Sequence, residues 1–364
     1  MKTKKNTTSP TTKNTERLGE TVKLGVDIHE KSYVVVLKVD ASAPQRAKSF
    51  TPEAFLRWVS KLKQRCDHLY SCYEAGPFGY GLHRKLASMG VTNYVIQPIN
   101  WDDHGKRVKT DARDALQMAL ALDGYLRGNK RSFAVVTVPT VEQERKRSMS
   151  RLRDSMAKEL RRTAMRGVGI ARYYGISLKS DWWRPRRWAQ LEKELEASVV
   201  EYLKMLRGVC EHLQQKVRDC EQRLAEHEPE AVRPKGIGVV AFEHVEREVG
   251  DWNRFSNRKA ISSYTGLCPS EDTSANRRFK GSVNKHGNPR LRKMLVECVW
   301  LLMMWNPNYR GLVKWRPKLE AAAANKSSRK KIVVAIAREL AVDWWRLRTG
   351  RTTMENLGLV TKEA

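Results

Sequence analysis

The strongest constraint on the fold is an alternation in the first 126 residues, where short β-rich runs exchange with segments of helical periodicity. Residues 22–39, VKLGVDIHEKSYVVVLKV, hold two β-rich runs around a polar turn, the first reaching Asp27 and the second covering Tyr33 to Val39. A third short strand is expected over Arg46 to Phe50. Pro52 opens a helix with Phe55, Leu56, Val59 and Leu62 at helical spacing and Thr51 as its N-cap. A strand over Leu69 to Tyr73 runs directly into Glu74. Gly79 to Met89 then reads as a helix stopped by Gly90, Tyr94 to Ile96 as a buried strand, and Asp111 to Leu126 as a helix.

Three strands, helix, strand, helix, strand, helix is an α/β order. It is the order of an RNase H-like or RuvC-like domain, although periodicity alone does not separate that from other α/β folds. Beyond it, Val141 to Glu228 is rich in Arg, Lys, Glu and Leu and is expected to form long helices with a bend near Gly167 to Gly175. Leu191, Leu195, Val199, Tyr202, Leu206, Val209, Leu213, Val217 and Leu224 form a stripe at three- and four-residue steps. Such a stripe suits an antiparallel helical hairpin or coiled coil as well as a helix packed on its own domain. Pro234-Lys235-Gly236-Ile237-Gly238 before VVAFEHVEREV resembles a helix-hairpin-helix turn, whose backbone N–H groups can hold a phosphate, or an ordinary helix start. The rest to Gly350 is expected to be helical apart from a basic loop at residues 266–288.

The formal net charge of +29 over 364 residues sets the class of partner. A field of that sign draws polyanions, meaning nucleic acid or an anionic membrane surface. The membrane reading is weak, because the longest apolar run, Leu295 to Trp305, is interrupted by Glu297 and too short to span a bilayer. Residues 1–20 are polar and basic with no apolar core, and read as a disordered tail rather than a secretory signal. The six scattered cysteines suit reduced thiols in a cytoplasm. Cys66, His68 and Cys72 cluster, but no second pair at zinc spacing accompanies them.

Four carboxylates stand where metal chemistry needs them. Asp27 and Glu74 end strands, and Asp111 and Asp114, three apart in VKTDARDAL, share one helix face. Any one of them alone is more often a solvated charge or a cap. Brought to one point, they would repel unless cations lay between them, and hard oxygen donors favour Mg²⁺ or Mn²⁺. Two such ions can polarise a phosphodiester and neutralise the attacking and leaving oxygens.

A second unusual stretch is GLCPSEDTSANRRFKGSVNKHGNPRLRKML, residues 266–295. Arg277, Arg278, Lys280, Lys285, Arg290, Arg292 and Lys293 lie there beside the hydroxyls of Ser270, Thr273, Ser274 and Ser282. Cations near a hydroxyl can hold a phosphate and offset transition-state charge, so one hydroxyl could attack phosphorus. The plainer reading is a phosphate-binding loop whose serines only donate hydrogen bonds. In the middle region, Trp182, Trp183, Arg184, Arg186 and Arg187 interleave aromatic and guanidinium groups, a mix that stacks on unpaired bases or anchors a core.

Taken together, GVDIHEKSYVVVL, YEAGPFGYGLHRKL, RVKTDARDAL, the serine stretch and KKIVVAIARELAVDWWRLRTG resemble the insertion-sequence 110 family of DEDD transposases, which includes the Piv-type invertases. The blocks occur in the family's order across roughly residues 21–350. The resemblance implies a disordered basic tail (1–20), a RuvC-like domain (21–139) with the tetrad Asp27, Glu74, Asp111 and Asp114, and a helical coiled-coil region (140–228). It further implies a mainly α transposase domain (229–350) whose loop serine, Ser274, is the nucleophile, and a tail (351–364). Ala275 stands where family members usually carry glycine, which leaves Thr273 as the alternative. Also implied are Mg²⁺ or Mn²⁺, donor and target double-stranded DNA, a structured guide RNA, and a homo-oligomer in which acids of one protomer meet the serine of another. Two rival readings remain: a junction-resolving nuclease that uses acids and water alone, and a non-catalytic nucleic-acid-binding protein.

Overall fold

The computed structural model describes residues 17–99, 101, 110–226, 232–274 and 277–361, with the backbone alone for 272–274 and 277–280. Two units result, Met1–Val138 and Pro139–Ala364.

The first unit is built on a five-stranded sheet of order β3-β2-β1-β4-β5. Its strands are β1 (Gly19–Ile28), β2 (Tyr33–Val39), β3 (Lys48–Phe50), β4 (Cys66–Glu74) and β5 (Thr92–Ile96). The short links make β1–β2 and β2–β3 antiparallel, whereas β1–β4 and β4–β5 are parallel. Parallel pairing requires crossovers, which α1 (Pro52–Lys63) and α2 (Gly81–Ser88) supply, while α3 (Asp111–Leu126) follows β5. Thr51 caps α1 by accepting from the Ala54 N–H, and α3 spans the residues expected of it.

Alternation along β1 separates the two faces of the sheet. Val22, Leu24 and Val26 share one core with Phe55, Val59 and Leu62 of α1 and Leu86 of α2. Gly25 turns the other way, onto α3. A Cβ at Gly25 would lie 2.2 Å from the Ala115 carbonyl oxygen and 2.4 Å from the Ala119 nitrogen. Only a residue without a side chain lets the helix backbone rest this closely on the strand. Mixed sheet plus two helical layers is compatible with an RNase H-like fold.

The N-terminal tail expected over 1–20 is shorter than its composition suggests. Leu18 donates its N–H to Arg65, and Gly19 and Glu20 already belong to β1; residues 1–16 lie outside the described residues.

In the second unit, α4 (Val141–Tyr173) and α6 (Ala197–Ala225) form a hairpin, with α5 (Pro185–Glu194) between them. Arg153 pairs with Glu221 at one end, and Tyr174 stacks with Tyr202 at the other, so α4 and α6 run antiparallel. The bend expected over Gly167 to Gly175 falls at the far end of that range: α4 continues through Gly167 and Gly169 and stops at Tyr173, just before Gly175 with φ +75°. Gly167 serves a close approach instead: a Cβ there would sit 2.2 Å from the Trp182 ring. The seam of α6 is Leu203, Cys210, Val217 and Leu224, buried at heptad spacing. Of the expected stripe, Tyr202 and Val209 are instead exposed, at 45% and 48%.

The remaining elements are α7 (Val239–Val249), α8 (Arg258–Thr265), β6 (Pro269–Ser274), β7 (Arg277–Val283), α9 (Pro289–Trp305), α10 (Arg310–Ala321) and α11 (Lys326–Arg348). A core of Phe242, Val245, Leu295, Leu302, Ile336 and Trp344 unites the helices. The basic stretch expected as a loop contains a two-stranded antiparallel hairpin. Of the tail expected over 351–364, the described part to Thr361 is packed: Leu357 and Leu359 enter the core, and Thr361 bridges Pro234. The Pro234–Gly238 turn is held from both sides, with the Lys235 N–H on Val360 and its carbonyl accepting from Asn306. The boundary expected at 228/229 falls outside the described residues. Among the described residues, no helix is long and apolar enough to cross a membrane.

Candidate functional site

The carboxyl ends of β1 and β4 carry the first two acids. Gly25 pairs with Cys72 in parallel register, so Asp27 and Glu74, two residues further along each strand, end neighbouring strands. Gly25 brings α3 against β1, and the first turn of α3 presents Asp111 and Asp114. Both carboxylates suit that position for a local reason too, since the helix N-terminus is electropositive.

Asp27 and Asp111 converge on a residue that the sequence reading missed. His29 Nε2 lies 3.3 Å from Asp27 Oδ2 and 3.2 Å from Asp111 Oδ2. Ligand atoms of these three residues fall within 4.8 Å of one another. The spacing Asp-x-His at a strand end, two residues apart and therefore on one side, was the available signal. Burial pushes the Asp27 carboxyl above its ordinary range; His29 pulls it back, and Asp111, Asp114 and Glu74 push it up further. All four acids therefore share one electrostatic neighbourhood, although Glu74 and Asp114 stand outside the tight cluster. Glu74 is held through Oε1, which accepts from Trp101 Nε1 at 2.8 Å and the Ile99 N–H at 3.2 Å.

A structural acid in the same helix gives the contrast. Asp123 is met by Lys23 at 2.6 Å, Arg127 at 3.0 Å and Lys38 at 3.5 Å. Although burial pushes its carboxyl up, these cations outweigh that and hold it below its usual range. Among the described residues, Asp27 and Asp111 pair with an imidazole and with no lysine or arginine. An oxygen-rich donor set with no lysine or arginine paired to it among the described residues fits a divalent cation. Cys66 and Cys72 are buried, and the Cys72 thiol is turned toward the Met118 carbonyl.

The serine stretch lies in the second unit and is considered there by itself. Thr273 pairs with Arg278 and Ser274 with Arg277, the last pair before the hairpin tip. The side chains of Thr273, Ser274, Arg277, Arg278 and Lys280, and all of Ala275, lie outside the described residues. The foot of the hairpin is firmly built. Asn284 donates its N–H to Cys268, and Ser270 Oγ donates to the Ser282 carbonyl. Arg292 Nη1 donates to the carbonyls of Thr265 and Lys285, at 3.2 and 3.4 Å, so it acts as a staple. Arg290 lies 3.5 Å from Asp154, and Lys293 3.8 Å from Glu297. Asn288 caps α9 with Oδ1 and donates from Nδ2 to Glu248 at 2.8 Å. Glu248 is fully buried and also takes a two-pronged guanidinium bond from Arg151, at 2.8 and 2.9 Å.

The aromatic–arginine patch requires a correction. Trp182 and Trp183 are only 1% and 6% exposed, and Trp182 Nε1 donates to the Ala164 carbonyl inside the α4–α6 core. Their faces are covered by protein and cannot stack on bases. Arg184, Arg186 and Arg187 remain exposed, Arg187 in an ion pair with Asp181.

Comparison with known proteins bears on the class of the chain. Residues 233–314, from before α7 into α10, match the Transposase IS116/IS110/IS902 family. The putative transposase y4rJ of Sinorhizobium fredii is 29% identical over 318 residues, 79% of each chain. The putative transposase y4qE of the same organism is 28% identical over 260 residues, which are 67% of this chain but 61% of that one. The transposase for insertion sequence element IS1111A of Coxiella burnetii is 23% identical over 316 residues, 82% of each. The chain is thus similar to proteins named as transposases. Similarity runs well beyond the matched segment, into both units. The matched segment and these relatives make the chain similar to transposases of the IS116/IS110/IS902 family.

Proposed function

We propose that this protein cuts and rejoins DNA at the ends of an insertion sequence, with a RuvC-like acidic centre and a serine nucleophile. The observation that carries the acidic centre is the convergence of Asp27 and Asp111 on His29, with Glu74 and Asp114 adding repulsion and, among the described residues, no lysine or arginine paired to the first two. Asp27, Glu74, Asp111 and Asp114 would hold Mg²⁺ or Mn²⁺. Such an ion, when bound, would offset the negative charge of a phosphodiester under attack.

On the second unit, Ser274 is the proposed nucleophile, at the tip of a basic hairpin. Its hydroxyl oxygen would form a bond to phosphorus as the bond to the departing strand breaks, and its proton would end on the leaving oxygen. The ester so formed conserves the phosphodiester linkage, so rejoining would need no nucleotide. Arg277, Arg278, Lys280 and Lys285 supply positive charge around that phosphate. In this reading, acids and serine come from different protomers of a homo-oligomer, and a structured RNA partner is met in part by Arg184, Arg186 and Arg187.

The test is to incubate wild-type protein, Ser274→Ala and Asp114→Asn with Mg²⁺ and DNA carrying the element's ends, then resolve products under denaturing conditions. Wild type is expected to leave protein covalently attached to a cut strand, and both variants to leave none. Full strand exchange by Ser274→Ala would remove the serine from the mechanism. Cleavage by that variant without any trapped protein in the wild type would indicate a water-using nuclease.

A further inference from the structure

A cleft of about 920 Å³ opens in the second unit beside the foot of β6. Three helices wall it: α8 contributes Arg258 and Lys259, α10 contributes Arg310 and Lys314, and α11 contributes Arg338 and Arg346. The four-residue step from Arg310 to Lys314, and the two such steps from Arg338 through Val342 to Arg346, set each group on one helix face. Cys268 and Pro269, where the serine hairpin begins, complete the wall.

Six cations there face three carboxylates, Glu271, Glu339 and Asp343. Two of the acids are engaged in orienting the cations. Asp343, its side chain 3% exposed, takes Arg310 through Nε at 2.9 Å and through Nη2, and has Arg346 at 3.4 Å. The buried Tyr309 hydroxyl also donates to it, at 2.9 Å. Burial pushes that hydroxyl well above its ordinary range, so it stays a donor. Glu339 lies 2.5 Å from Lys314 Nζ. Among the described residues, no carboxylate lies within ion-pair distance of Arg258, Lys259 or Arg338. Guanidinium groups fixed by a buried acid suit planar, two-pronged binding of phosphate oxygens.

We propose that this cleft binds the phosphodiester backbone of the DNA strand that leads to the serine hairpin. The inference rests on the reading of Ser274 given above for the identity of that strand, and on the cleft alone for the chemistry. Five residues of β6 separate Pro269 from Ser274, roughly 17 Å at the rise of a strand. At about 3.4 Å per nucleotide of one B-form strand, the cleft would hold phosphates about five nucleotides from the one attacked.

The experiment measures anisotropy of a fluorescein-labelled duplex of arbitrary sequence, and of a single-stranded RNA of the same length, against full-length protein over a salt series. Each phosphate neutralised contributes about 0.9 to the slope of log affinity against log salt for duplex DNA. The double variant Arg258→Gln/Arg338→Gln should flatten the duplex slope by about 1.8, so that between about 50 and 200 mM salt the wild type loses roughly tenfold more affinity than the variant. The charge-keeping Arg258→Lys/Arg338→Lys should restore most of the slope, which a packing role would not. An unchanged slope in a double variant that melts like the wild type overturns the proposal. So does a change confined to the RNA probe, which would make the cleft an RNA site. Ser274→Ala should keep the wild-type slope in this assay, so failure of the nucleophile reading would show in strand exchange and leave this result separate.

Discussion

Replacing Gly25 with alanine tests whether the contact between β1 and α3 builds the acidic centre. The added Cβ would meet the Ala115 oxygen at 2.2 Å and the Ala119 nitrogen at 2.4 Å, against an ordinary contact of 3.4 Å or more. Both obstacles are helix backbone, so no side-chain rotation relieves them and α3 must withdraw by about 1 Å at that point, at a cost of about 1–3 kcal/mol. Asp111 stands one turn before Ala115 and retreats with it. Magnesium accepts oxygen ligands only near 2.0–2.1 Å, with a tolerance of about 0.2 Å, so a displacement of about 1 Å removes Asp111 as a ligand. The assay pairs thermal melting with Mn²⁺ titration of the protein alone, followed by electron paramagnetic resonance. Gly25→Ala should melt lower by roughly 2–4 °C per kcal/mol lost and bind Mn²⁺ at least about tenfold more weakly. Asp111→Asn, which leaves the packing alone, should weaken Mn²⁺ without lowering the melting temperature. A Gly25→Ala protein with wild-type melting and wild-type Mn²⁺ affinity would refute the reasoning.

Two further outcomes follow from buried groups in the second unit. Burial pushes the Glu248 carboxyl up, but hydrogen bonds from Arg151 and Asn288 and the charges of Arg151 and Arg147 outweigh it, so its pKa is lowered on folding. A lowered pKa gives stability that is present above the unfolded value and lost as pH falls through the folded one. Glu248→Gln should therefore cost about 2–3 kcal/mol at neutral pH and progressively less under acid, read by denaturant unfolding across pH. Trp182→Ala should cost about 3–5 kcal/mol through the cavity left against Gly167, while the folded protein keeps wild-type affinity for single-stranded RNA; weaker RNA binding at unchanged stability would restore the stacking role.

How far the chain could be read in advance depended on how local the governing physics was. α3 was legible from Asp111 to Leu126 because its periodicity and acidic first turn both act within the helix. The β6–β7 hairpin was hidden because PSEDTS holds a single β-branched residue, Thr273, and no aromatic one, so cross-strand pairing has to create it. Tyr202 and Val209 fit a helical stripe as well as Leu203 and Cys210 do; the partner helix decides which pair is covered. The tryptophans show the same limit, since Trp182 is fixed by a glycine 15 residues earlier in the chain. His29 was hidden for another reason: an imidazole two residues from Asp27 lies outside a pattern made of carboxylates alone. Asp27 and Asp111 come together with His29, because a strand end and one helix turn leave little freedom about where they point, while Glu74 and Asp114 stand outside that cluster.

The bridge between Pro234 and Thr361 means that the polypeptide enters and leaves its C-terminal helical assembly at one place. A loop with touching ends can be reopened elsewhere at little topological cost. The old ends could be joined by a few residues and new ones cut into an exposed turn such as that after α10, leaving the helical core intact. The same geometry places a cargo fused after Thr361 beside the turn that precedes α7.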